Sequence, residues 1–239
     1  MALSSITWIG LLACRLLPAV LFVPAFGGAR LPVPARLGLA MCLAWALMPM
    51  ALLTQEAPHG WVCLALMGKE LAVGIVLAFA ANCAFDALRM AGGWLDNLAG
   101  TQRSQVTSAA GQGRGGPLAE LHALLAVLIF FALGGPEQAL ASLAESLRLL
   151  PLAGFPDSSL LRSVGGMAID LSNAAIRCAA ALALPAGLAV VLTDGLLGLL
   201  NRSAPGLPVY FVGLPLRMSA VLAVVAIGLE RLPDLWIGL

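Results

Sequence analysis

Residues 61–103 read WVCLALMGKELAVGIVLAFAANCAFDALRMAGGWLDNLAGTQR. The first part, 61–88, is apolar over more than the ~20 residues that a helix needs to cross hydrocarbon. The second part carries polar residues in a fixed rhythm. Asp86, Arg89, Gly93, Asp96, Gly100 and Arg103 follow one another at steps of 3, 4, 3, 4 and 3. Those steps place all six on one face of a single helix. Leu88, Trp94, Leu95 and Leu98 fall elsewhere on it. A solvated helix end would carry more charge and less glycine. Charges alternating with glycines instead predict a face that meets a partner or a pore, because glycine lets another helix come close.

Five further apolar segments flank this one, at about 4–26, 36–54, 118–134, 168–200 and 214–230. Leu, Ala, Val and Gly dominate them, as in helices that pack closely inside membranes. The expected fold class is all-α: a polytopic membrane protein of about six long, partly broken helices or helical hairpins. The segments are not uniformly apolar. Arg15 lies in the middle of the first, and Asp170, Arg177 and Asp194 interrupt the fifth. A charge at the bilayer centre costs a few kcal/mol and normally faces protein or water. Many of these helices are therefore expected to contact other helices, not lipid. The fifth segment carries a shorter polar face of Asp170, Asn173 and Arg177.

The composition of all 239 residues agrees: 61% are hydrophobic, 10% charged, and mean hydropathy is +0.98. Ordinary globular domains hold roughly 45–50% apolar and about 25% charged residues. Lipid or a large partner assembly must cover the excess. This excludes a disordered chain and a typical cytosolic enzyme. A net charge of +1 excludes an electrostatic grip on nucleic acid. Cys14, Cys42, Cys63, Cys83 and Cys178 are scattered through apolar stretches, an odd number without paired spacing. They read as small core hydrophobes, not as a disulfide framework. The first charge is Arg15, so no basic region precedes the first segment, which is expected to stay in the mature chain.

Three connections stand out. Residues 27–35, GGARLPVPA, are broken by glycine and proline. Residues 106–116, VTSAAGQGRGG, form a small, polar loop. Residues 135–163, with Glu137, Glu145, Arg148, Asp157 and Arg162, predict an amphipathic helix and then a turn at Pro156, Ser158 and Ser159. With six spans, one side collects Arg30, Arg36, Arg89, Arg103, Arg114, Arg202 and Arg217, and the other Arg148, Arg162 and Arg231, with Lys69 assignable to either. The positive-inside rule makes the richer side cytoplasmic and leaves both termini outside.

Nothing points to catalysis. His59 and His122 are isolated, and no Cys/His spacing fits a metal. GQGRGG at 111–116 matches G-x-G-x-x-G in form, but it lies between apolar helices with Pro117 behind it, not after a strand. A dinucleotide site is rejected on that context. The glycines leave two readings open, a plain linker or a movable loop that lines or blocks a pathway. No catalytic residue, metal or cofactor is expected.

These residues resemble the SctT/FliR family of export-apparatus proteins from virulence-associated and flagellar type III secretion systems. Pro24-Ala-Phe-Gly-Gly, Val33-Pro-Ala-Arg and Pro49 resemble its first signature. Lys69-Glu-Leu-Ala-Val-Gly74, Ala91-Gly-Gly-Trp-Leu-Asp96 and Gly100 resemble the middle one. Leu197-Gly-Leu-Leu-Asn-Arg202, Ala204-Pro205, Val209-Tyr-Phe and Gly213-Leu-Pro-Leu-Arg217 resemble the last. The chain departs from the pattern at Gly206, Leu207 and Pro208, and Arg217 stands where Lys is common. These departures and the short C-terminus favour the virulence branch.

The resemblance implies a non-enzymatic part of an export gate in the bacterial inner membrane, part of the assembly lying on the periplasmic side. Family members complete a helical, pseudo-hexameric ring with about five SctR-like and about four SctS-like subunits. An SctU/FlhB-like switch protein and exported unfolded proteins are the other partners. The resemblance also implies a ring-forming SctR-like part at residues 1–160 and an SctS-like hairpin at 161–239. Its plug would be Val106, Thr107, Ser108, Ala109, Ala110, Gly111, Gln112, Gly113, Arg114, Gly115 and Gly116. Its cytoplasmic tip would include Asn201, Arg202, Pro205 and Pro208, and its subunit contacts Asp86, Arg89, Asp96, Arg103, Asp170, Asn173 and Arg177. The alternative is a self-contained small-solute transporter. It calls for inverted repeats around a midplane site, and no convincing repeat is seen.

Overall fold

The computed structural model describes residues 2–26, 31–51, 58, 60–100, 115–204, 206 and 209–228. Its elements are α1 (Ala2–Phe22), α2 (Val33–Leu47), α3 (Trp61–Ala99), α4 (Pro117–Ala132), α5 (Gly135–Leu149), α6 (Ser158–Ser203) and α7 (Val209–Gly228), with short 3-10 turns at Pro24–Phe26 and Met48–Ala51. Among the described residues there is no strand, so the expected all-α class holds. Within the described residues, each of the six apolar segments falls mainly on one helix. The amphipathic helix expected after residue 135 is α5; the turn expected at Pro156, Ser158 and Ser159 ends earlier, because Ser158 and Ser159 already open α6, where Asp157 accepts from the Ser158 amide at 2.7 Å.

Helices α3 and α6 are 39 and 46 residues long, and both are long and apolar enough to span a membrane. So is α7 from Phe211 to Gly228, and a fourth span results if α4 and α5 form one bent crossing. α1 and α2 are shorter apolar helices. Pro18, Pro185 and Pro215 sit inside α1, α6 and α7 without ending them. A proline removes one backbone hydrogen bond and favours a bend, yet all three helices continue past it.

The chain forms two compact units, residues 1–83 with 130–170, and residues 84–129 with 171–239. The core of the first unit joins Trp8, Leu11, Leu12 and Leu16 of α1 to Ala44 and Leu47 of α2, Leu66 of α3, Leu143 and Leu147 of α5, and Leu152. α1 lies directly against α3 at Gly74. A Cβ there would overlap the Arg15 carbonyl oxygen and press on Pro18. The core of the second unit joins Leu95 and Ala99 of α3, Leu118 of α4, Ala183, Ala186 and Val190 of α6, and Val221 of α7. Here α6 and α7 form an antiparallel hairpin. Going down α6 and up α7, Val190 shares a core with Val221, Asp194 pairs with Arg217 at 2.5 Å, and Leu197 covers Gly213.

Candidate functional site

α3 stays helical through Ala99 because its residues propagate a helix and Gly100 stops it. Gly100 has φ +75°, and its amide binds the Asn97 carbonyl at 3.2 Å. That left-handed turn is cheap for glycine and closes the helix. The six-residue polar face predicted from spacing is therefore shorter than expected. Gly100 lies beyond the helix, and Arg103 lies outside the described residues.

The face also divides. Asp86 and Arg89 are exposed and Gly93 is half-buried, whereas Asp96 is completely buried. At about 100° per residue, Asp96 lies only about 20° from exposed Arg89 and about 20° from buried Phe85, on the edge between wet and packed surface. Asp96 turns inward to α4. Its Oδ1 accepts from the Leu118 amide at 3.1 Å and its Oδ2 from the Ala119 amide at 2.8 Å. These are contacts inside the chain, so Asp96 is corrected from the outward-facing group. Gly92, one turn earlier, lies against the backbone of Leu118 and Ala119, and Gly116 lies against the Asp96 carboxylate. His122 is buried one turn into α4, its Nδ1 at 2.8 Å from the Leu118 carbonyl.

Asp170, Asn173 and Arg177 are exposed along α6. Asn201 and Arg202 are exposed in its last turn, and Pro205 and Pro208 lie outside the described residues. Of the predicted plug, Gly115 and Gly116 are described; Val106 to Arg114 lie outside the described residues. His59 also lies outside them. Cys83 and Cys178 are buried as small core groups, Cys14 and Cys63 are partly covered, and Cys42 is exposed. Among the described residues no group of three or more His, Cys, Asp or Glu could hold a metal.

One charged site escaped the pattern analysis. Arg15 and Glu70 are 1% and 0% exposed and form an ion pair, with Nη2 donating to Oε1 at 3.0 Å. Arg15 also donates to the carbonyls of Ser146 at 3.0 Å and Leu150 at 2.8 Å, at the C-terminal end of α5. Lys69 lies 2.5 Å from Glu70 and donates to the carbonyls of Pro151, Leu152 and Gly154 at 3.1, 2.9 and 2.8 Å. Two cations thus share one carboxylate. The positive excess is offset by five carbonyls, including those at the negative end of the α5 dipole. The node ties α1 and α3 to the end of α5 and the following turn. A sequence signal did exist. In the first 85 residues only Glu56 and Glu70 are acidic, and Glu56 falls in sequence between the apolar segments 36–54 and 61–88, so Arg15 has one acid within an apolar segment to meet.

Outside these contacts, large apolar residues remain uncovered by the chain itself. α6 exposes Leu184, Leu188, Val191, Leu192, Leu196 and Leu199, a continuous helical stripe opposite Ala183, Ala186 and Val190. Only 11% of the α7 span is buried. Fold and site together define a multi-pass, all-helical membrane protein. Its polar groups either lock the chain internally or sit on exposed helix faces.

The chain belongs to the bacterial export proteins, family 1, whose family model matches residues 6–239. This is the SctT/FliR family of type III secretion export proteins. It is 27% identical over 215 residues to the flagellar biosynthetic protein FliR of Escherichia coli strain K12, covering 89% of this chain and 80% of that protein. It is 31% identical over 192 residues to the secretion system apparatus protein SsaT of Salmonella typhimurium, covering 78% and 73%. It is 28% identical over 210 residues to the Yop proteins translocation protein T of Yersinia pestis, covering 87% and 78%.

Proposed function

We propose that this chain is a non-enzymatic subunit of a type III secretion export gate in the bacterial inner membrane. It completes a helical ring with SctR-like and SctS-like subunits and passes unfolded proteins outward. The observation that carries this is the exposed surface: apolar stripes on α6 and α7, with the polar residues Asp170, Asn173 and Arg177 exposed on α6 as well. Lipid alone covers leucine well but not ionised side chains. Subunits that bring complementary charges cover both. Asp86 and Arg89 on α3 serve the same docking, together with Arg103. Family membership and the names of the relatives supply the setting.

Within this reading, residues 1–160 form the ring part and 161–239 the SctS-like hairpin. Asn201, Arg202, Pro205 and Pro208 form the cytoplasmic tip, and an SctU/FlhB-like switch protein is a further partner. Residues 106–116 act as the plug. Their glycines carry no Cβ penalty in unusual conformations, and Ser108, Ala109 and Ala110 are small enough to seal without anchoring. The test deletes residues 109–115 in cells carrying the whole secretion system and measures ion leak through the resting assembly. The reading predicts leak from an assembly that still forms. Unchanged conductance overturns the plug.

A further inference from the structure

We infer that Asp96 is the positioning residue that fastens the two ends of the 100–116 connection to each other. The first turn of an α-helix has amides with no partner inside the helix. For α4 they can be counted. Pro117 has no N–H. The Leu118 and Ala119 amides go to the two carboxylate oxygens of Asp96, at 3.1 and 2.8 Å. The Glu120 amide goes to the Gly116 carbonyl at 3.0 Å. Residue 116, which an ordinary helix would use as its cap, is glycine and offers no side chain. A side chain would not fit either, because a Cβ at Gly116 would overlap the Asp96 carboxylate.

The helix therefore takes its cap from α3, twenty-two residues upstream. That carboxylate sits one turn before Gly100, where α3 ends. The last turn of α3 and the first turn of α4 thus meet at this buried carboxylate. Gly92 lets the two backbones approach there, since a Cβ at 92 would overlap the Leu118 carbonyl and the Ala119 Cα. Full burial of Asp96 makes the tie costly to open, because a carboxylate without its donors would be stranded away from water. The consequence for sealing rests on the reading of residues 106–116 as the plug; the tie itself does not.

The test uses the assembled complex with Asp96→Ala, Asp96→Asn and the 109–115 deletion. Hydrogen exchange is followed in a peptide that starts upstream of Gly116, so that the Leu118 and Ala119 amides are both read, and ion leak is followed in cells. Loss of a helix cap predicts exchange about 5- to 30-fold faster in Asp96→Ala, with a smaller rise in Asp96→Asn, which keeps one acceptor. Leak should appear in Asp96→Ala as in the deletion. If Asp96→Ala does not assemble, Asp96→Asn, which has the same size, carries both readouts. Unchanged exchange overturns the tie whatever the leak. Faster exchange without leak, beside a leaking deletion, shows that the seal does not depend on it and overturns its role in sealing. Faster exchange with no leak from either variant upholds the tie and overturns the plug reading.

Discussion

Replacing Glu70 with alanine should be among the most damaging single changes in the first unit. The substitution leaves Arg15 and Lys69 buried, close to each other and without a carboxylate. Removing one partner of a buried pair costs about 3–5 kcal/mol, because an uncompensated charge stays behind. Here the carbonyls of Ser146, Leu150, Pro151, Leu152 and Gly154 remain to hold the two cations. They do not cancel the repulsion. For a chain of this size 1 kcal/mol corresponds to about 2–4 °C, so the expected loss is about 6–20 °C in the melting temperature of the purified complex. Glu145→Ala is the control. Its pair with Arg148 is exposed at 3.3 Å, and such surface pairs contribute little, so its shift should stay within about 2 °C. Glu70→Ala paired with Arg15→Met should recover part of the loss, since a buried pair replaced by apolar groups is often nearly neutral. A Glu70→Ala shift as small as that of the control would refute the node as a structural lock.

Gly74→Leu should lower the yield of folded protein, because even its Cβ would collide with the Arg15 carbonyl; overpacking of this kind costs about 1–3 kcal/mol, and normal yield and melting would contradict it. Asp194→Ala should change stability by less than about 1 kcal/mol, since its partner Arg217 is partly exposed; a loss as large as that of Glu70→Ala would show a buried role instead. Asp86→Arg should leave folding intact and lower the recovery of the SctR-like partner on purification, and full recovery would mean that this face is only solvated.

The sequence made the helices legible because membrane segments carry a strong signal. Long runs of Leu, Ala and Val with few charges leave little choice of structure, and α5 showed its two-sided pattern at Glu137, Glu145 and Arg148. Spacing was less reliable for the site. Steps of 3 and 4 place residues on one broad face, but they do not say where burial begins. Asp86 and Asp96 fit the same rhythm, yet one is exposed and the other buried. Nor does the rhythm mark the helix end, which depends on the left-handed turn at Gly100. Arg15 was recognisable as a charge in need of company. Its partner is 55 residues away in sequence, and only packing brings Glu70 to it.

The central claim is that the exposed, charge-dotted helices are covered by partner subunits. Native mass spectrometry of the complex extracted gently from membranes, with an affinity tag on this chain, measures that directly. The account predicts one copy of this chain with several copies of two smaller helical proteins. A monomer, or a symmetric oligomer of this chain alone, would contradict it.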